Sequence, residues 1–124
     1  MPTHVTSWNK NSNFSWDTSD CKSDCSWFAF KISVKENTKL TKTDLAKILD
    51  LNNICIRILF GGNLIRQPAF VKLKKYRLES FRIASDTSGS DQIMNDTLFL
   101  GTYPGLTKSI LDFEIETINQ FCKK

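Results

Sequence analysis

The sequence predicts a small α+β layer, with helices packed on one face of a three- or four-stranded, mostly antiparallel sheet. Three observations lead there. Short β-branched or apolar runs alternate with amphipathic ones along the 124 residues. The connections around 60–68 and 101–106 are short and carry Gly, Asn and Pro, so successive elements turn back on each other. With 40% hydrophobic and 24% charged residues, the chain can fill one core, and its length allows one domain or part of one.

The elements follow in order. Residues 1–26 are rich in Ser, Asn, Thr and Asp and show no period, so they read as an extended, irregular segment. Trp8, Phe14 and Trp16 look like isolated anchors onto a surface, within this chain or outside it. Residues 27–35 alternate apolar and polar in their second half and read as a strand. Thr41 or Thr43 caps a helix over about 42–51, with Asp44 at its positive end and Asn52-Asn53 stopping it. Ile54 to Phe60 is a second strand, broken by Gly61-Gly62-Asn63. Pro68 starts a short helix over 67–74, because a missing N–H costs nothing in a first turn. Residues 81–84 read as a short strand, and Ser88 to Asn95 as a helical turn capped by Ser88 or Ser90. Leu98-Phe99-Leu100 is a short apolar run meeting the Tyr103-Pro104-Gly105 turn. Thr107 caps the last helix, whose Ile110, Leu111, Phe113, Ile115, Ile118 and Phe121 make one wide apolar face.

Charge is unevenly spread. The net +4 is the balance of a +7 block over residues 27–86 and acidic flanks. The block is densest at Lys72-Leu73-Lys74-Lys75-Tyr76-Arg77. It reads either as a solvated helix face or as a surface for an anionic partner. No nucleic-acid signature accompanies it, so nucleic acid is not the expected partner. No apolar run reaches the roughly 18–20 residues of a membrane span. The start lacks a basic region followed by an apolar core, so a cytoplasmic location without stable disulfides is expected. Cys21 and Cys25 form a lone C-x3-C pair, His4 is the single histidine, and a tetrahedral metal site wants four ligands. Cys55, within an apolar run, reads as a small buried hydrophobe.

The informative stretch is Arg57-Ile58-Leu59-Phe60-Gly61-Gly62-Asn63-Leu64-Ile65-Arg66-Gln67-Pro68-Ala69-Phe70. Gly62 and its neighbour let backbone approach closely or adopt positive φ. Asn63 brings an amide. Arg66 and Gln67 bring donors at a helix start, where backbone N–H groups also point outward. Arg57 lies inside an apolar strand and, if buried, needs a partner. Two readings stay open: a donor-rich corner for an oxygen-rich or anionic ligand, or a plain Gly-rich turn with Arg57 and Arg66 in structural ion pairs.

That stretch, together with Ser26-Trp27-Phe28-Ala29-Phe30 and the run from Gln92 to Thr107, resembles the C-terminal part of the sugar-nucleotide 3-dehydratases. These are DegT/DnrJ-type vitamin-B6 enzymes with the aspartate aminotransferase fold, and the branch acting on CDP-4-dehydro-6-deoxyglucose is nearest. The resemblance implies a chain in which 1–26 leads from a large domain and 27–124 is the small, substrate-side domain of a fold-type-I enzyme. It implies removal of the C3 hydroxyl from a nucleotide-linked 4-keto-6-deoxyhexose, feeding dideoxysugar and O-antigen synthesis. It also implies pyridoxamine or pyridoxal 5'-phosphate held mainly outside this chain and a histidine base, also outside it. In the CDP-sugar branch it adds a two-iron two-sulfur cluster with ligands elsewhere and a partner reductase. The assembly expected is a homodimer.

On this reading Arg57, Gly62, Asn63, Arg66 and Gln67 line the sugar or phosphate side of the pocket, while Tyr103 to Gly105 and residues 88–97 hold the corner in place. A full member is roughly three times this length, so the chain alone is expected to be inactive, with Met1 an internal start, a split reading frame or the edge of a fragment. The alternatives are a non-catalytic interaction module that associates through exposed sheet, and an aminotransferase of the same family.

Overall fold

Period-two alternation builds the two central strands. In β2 (Ala29–Val34), Phe30, Ile32 and Val34 are buried and Lys31 is exposed. In β4 (Thr97–Gly101), Leu98 and Leu100 are buried. The strands pair antiparallel with Phe30 opposite Leu100 and Ile32 opposite Leu98, so one face is continuous apolar surface. In this computed structural model, which describes residues 13–15, 27–36 and 38–123, two short strands complete the sheet. β1 (Phe14–Ser15) pairs with β2, and β3 (Ile56–Ile58) pairs with β4. The order is β1-β2-β4-β3, antiparallel throughout.

Helices cover the apolar face. In α1 (Lys42–Leu51), Leu45 and Leu49 point into the core from positions four apart. In α4 (Lys108–Cys122), Leu111 and Ile118 are buried from positions seven apart. Ile32, Leu45, Leu49, Leu98, Leu100 and Ile118 are fully buried. Each such side chain contributes about 1.5–3 kcal/mol of transfer free energy. Thr41 caps α1 by accepting from the Asp44 N–H at 3.1 Å, and Thr107 caps α4 by accepting from Ile110. Asn52 ends α1, and Asn53 takes φ 57°.

Several expectations are revised. The surface that Phe14 anchors onto is this chain's own core, and Phe14–Ser15 add a short strand at the edge of the sheet. Trp8, Trp16, His4, Cys21 and Cys25 lie outside the described residues. Residues 81–84 form no strand. Phe81 instead packs edge-on against Phe70 of α2 (Pro68–Tyr76), with centroids 5.5 Å apart, and Ile83 is left exposed, so no face of the segment is buried as a strand requires. The strand expected over Ile54 to Phe60 shrinks to β3. Ile54 turns into the core, Cys55 is exposed rather than buried, and a turn after Ile58 ends the ladder. Residues 88–96 make a full helix, α3 (Ser88–Asp96), with Thr87 at its cap position. The Asp86 carboxylate, not Ser88 or Ser90, accepts from the first helical N–H, that of Ser88, at 3.2 Å.

Candidate functional site

The corner after β3 is built by two linked turns. Phe60 N–H donates to the Ile58 carbonyl at 2.9 Å, and Gly62 N–H to the Leu59 carbonyl at 3.1 Å. Gly62 has φ 61° and lies against Met94 of α3, where an added Cβ would come within 2.5 Å of the Met94 side chain. Glycine is therefore required twice, for its backbone and for the space. Asn63 follows and is almost wholly buried. Its Oδ1 accepts from the Ile65 N–H at 3.2 Å and so starts the 3-10 turn Leu64–Arg66. Its Nδ2 donates to Asp91 Oδ1 at 2.9 Å.

Asp91 is the residue that organises the corner. Arg66 grips it with two N–H groups, Nη2 to Oδ2 at 2.7 Å and Nε to Oδ1. This is the forked geometry that a planar guanidinium favours. The hydrogen bonds from Arg66 and Asn63 hold the Asp91 carboxyl down at about 2, and the same contact raises Arg66. Gln67 Nε2 donates to the Gly61 carbonyl at 2.6 Å, folding the end of the corner onto its start. Lys42 at the head of α1 donates to the Met94 carbonyl, which ties α3 to α1. Segment 88–97 thus holds the corner, as expected, and does so through Asp91 and Met94.

The structure brings Gly62, Asn63, Arg66 and Gln67 together and leaves Arg57 apart. In the sequence Arg57 lies inside an apolar strand and, if buried, would need a partner. It is exposed, and it makes no ion pair among the described residues. The register explains this. Arg57 lies opposite Phe99, whose neighbours Leu98 and Leu100 point to the core, so Arg57 stands on the outer sheet face. There it lines an open cavity of about 690 Å³ with Phe28, Ile58, Phe60 and Phe99. A second cavity of about 570 Å³ lies between Ile65, Arg66, Val71, Lys74 and Lys75, against the basic half of α2. Sequence reasoning missed Asp91 as the partner of Arg66 and missed the three phenylalanines. Phe99 was detectable in principle, because it alternates with two core leucines.

The corner does not suit a phosphate-bearing pyridine ring. Such a ring wants an uncommitted cation and a carboxylate near its nitrogen. At the corner the one cation and the one carboxylate are spent on each other. No group of three or more His, Cys, Asp or Glu gathers for a metal among the described residues, and no helix there is long and apolar enough to cross a membrane.

Comparison with known proteins locates this arrangement. Residues 7–118 match the model of the DegT/DnrJ/EryC1/StrS aminotransferase family. The lipopolysaccharide biosynthesis protein RfbH of Salmonella typhimurium is 42% identical over 100 residues, covering 81% of this chain and 22% of that protein. The dTDP-4-dehydro-2,6-dideoxy-D-glucose 3-dehydratase of Saccharopolyspora spinosa is 37% identical over 102 residues, 82% of this chain and 21% of that enzyme. The chain therefore spans about a fifth of the length of these relatives. Among solved structures, E. coli GDP-4-keto-6-deoxy-D-mannose-3-dehydratase with bound hydrated PLP superposes with a TM-score of 0.77 at 16% identity, covering 92% of this chain and 28% of that one. A ColD variant with bound GDP-perosamine gives 0.78, also at 16% identity, covering 93% of this chain and 28% of that one. These two establish the fold alone.

Proposed function

Because the chain belongs to the DegT/DnrJ/EryC1/StrS aminotransferase family, we propose that it supplies the substrate-side part of a vitamin-B6-dependent sugar-nucleotide 3-dehydratase. The substrate is a nucleotide-linked 4-keto-6-deoxyhexose, CDP-linked by preference, and the reaction removes its C3 hydroxyl. One observation carries the reading. A 3-dehydratase name recurs in both a sequence relative and the structures that share the fold.

The chain's own share is binding and positioning. Gly62, Asn63 and Gln67 shape the corner, and Arg66 offers the hydroxyl or phosphate oxygens of the substrate the N–H groups that Asp91 does not take. Arg57 adds a cation that makes no ion pair among the described residues, suited to a diphosphate. Pyridoxamine or pyridoxal phosphate supplies the electron sink for loss of the hydroxyl and is held by residues beyond the corner, because the corner's charges are mutually neutralised. The same reading places the enzyme in the cytoplasm as a homodimer, with residues 27–124 as the small domain and 1–26 as its lead-in. In the CDP-sugar branch it adds an iron–sulfur cluster bound outside this chain and a reductase partner.

A chimera tests this. The stretch of the Saccharopolyspora enzyme matched by this chain is replaced with this chain, and products are followed by mass spectrometry with dTDP-, CDP- and GDP-linked 4-keto sugars. Loss of the C3 hydroxyl, with kcat/KM falling in Arg66→Ala, is expected. An amino sugar as the only product would point to transamination instead. A folded chimera that binds cofactor but makes no product would overturn the reading.

A further inference from the structure

The outer face of the sheet carries a feature that the corner does not. Phe99 sits in the middle of that face with Lys31 opposite it on one side and Arg57 opposite it on the other. Both cations are exposed, and neither makes an ion pair among the described residues. Phe28 and Phe60 meet Phe99 edge to face, with centroids at 6.4 and 6.2 Å. Their own rings are 77% and 78% exposed. The backbone shows that this display is imposed. Phe60 has φ 46°, a left-handed conformation ordinarily left to Gly or Asn. An aromatic residue held there costs stability, and strained positions of this kind cluster at binding sites.

Exposed rings on a phenylalanine that is flanked by two cations match one kind of ligand, a flat aromatic group joined to two negative charges. We propose that this face binds the nucleoside diphosphate portion of the substrate. The base stacks on Phe60 or Phe28, and Arg57 and Lys31 take the diphosphate. The proposal rests on the sugar-nucleotide reading above and adds a division of labour to it: the sugar at the Asn63–Arg66–Gln67 corner, the nucleotide on the Phe99 face. The cavity of about 690 Å³ lies within the range of small-ligand sites. Stacking tolerates any base, so the face fixes where the nucleotide sits more than which nucleotide it is.

The test uses the 124-residue chain and NMR titration with CDP and GDP up to ~10 mM, which detects dissociation constants near the millimolar limit of weak binding. The expected result is saturable shifts at Phe28, Phe60, Phe99 and Arg57. Inorganic pyrophosphate should shift Arg57 and Lys31 but leave the rings unmoved. Phe60→Gly removes the ring while suiting the backbone, so it folds; it should weaken CDP binding about fivefold or more, and Phe60→Trp should restore it. Arg57→Gln should weaken CDP and pyrophosphate alike. Saturable shifts confined to Asn63, Arg66 and Gln67 would overturn this inference while leaving the substrate reading intact. Ring shifts that follow protein concentration and ignore nucleotide would overturn it in favour of a second copy of the chain. No shift anywhere would overturn this inference, while the chimera alone decides the substrate reading.

Discussion

The Gly61–Gln67 corner and the outer sheet face spend their polar groups in opposite ways. At the corner every functional side chain is engaged. Asn63 bonds in both directions, Arg66 forks onto Asp91, and Gln67 closes on Gly61. On the sheet face two cations make no ion pair among the described residues, two rings touching Phe99 stay largely exposed, and a strained backbone presents one of them. A donor-rich motif is therefore not the same as an available one. The corner is a rigid frame with few donors to spare, and the face beside it is loosely committed. If that contrast is right, substitutions at the corner register first in stability, and substitutions on the face register first in binding.

The largest effect is expected at Gly62. Gly62→Ala puts an L-residue at φ 61° and drives its Cβ into Met94. Backbone strain and overpacking together should remove about 2–4 kcal/mol. Urea unfolding measures this directly, and a loss below about 1 kcal/mol would mean that the corner is not the frame described here. Asn63→Ala comes next. It deletes the 3-10 cap and one hydrogen bond to Asp91, with an expected cost of about 1–2 kcal/mol. Phe60→Gly should act in the reverse direction. It relieves a left-handed phenylalanine and removes a ring that buries little, so stability should rise by about 1 kcal/mol. A loss of stability there would show that the Phe60 ring is structural and would dissolve the contrast.

The sequence revealed these two regions unequally. Local signals were readable. The alternation in β2, the Thr41 and Thr107 caps, the stop at Asn52-Asn53 and the amphipathic face of α4 all come from short-range chemistry. The corner was recognisable as a unit because its glycines, amides and guanidinium are contiguous. Its internal wiring was not, since Asp91 is 25 residues from Arg66 and only tertiary packing pairs them. The aromatic face was less visible still. Phe28, Phe60 and Phe99 meet through sheet register, and register is a non-local property that depends on which strands pair. β1 was missed for the same reason. A two-residue strand has no period, and Phe14 is buried only because β2 lies beside it.

The smallest effect concerns charge and distinguishes a satisfied carboxylate from an unsatisfied one. Asp91 is held down to about 2 by Arg66 and Asn63. Glu114, on the buried side of α4, has Oε2 without a hydrogen-bond partner among the described residues, and burial pushes its carboxyl above the ordinary value of 4.5. The two must contribute to pH-dependent stability with opposite signs. The Asp91 contribution is present above the unfolded value of 3.8 and is lost as pH falls from there towards 2. The Glu114 penalty is complete above its raised folded value and is relieved as pH falls to 4.5. Acidification from neutral pH should therefore first stabilise the chain through Glu114 and then destabilise it through Asp91. Difference curves between each variant and the parent isolate the two terms, because all other carboxylates cancel. Glu114→Gln should remove the early rise and raise stability at neutral pH, while Asp91→Asn should flatten the fall below 3.8. If the Asp91→Asn curve stayed parallel to the parent down to pH 2, the Arg66–Asp91 fork would not be formed in solution. The corner's donors would then be as free as those of the sheet face.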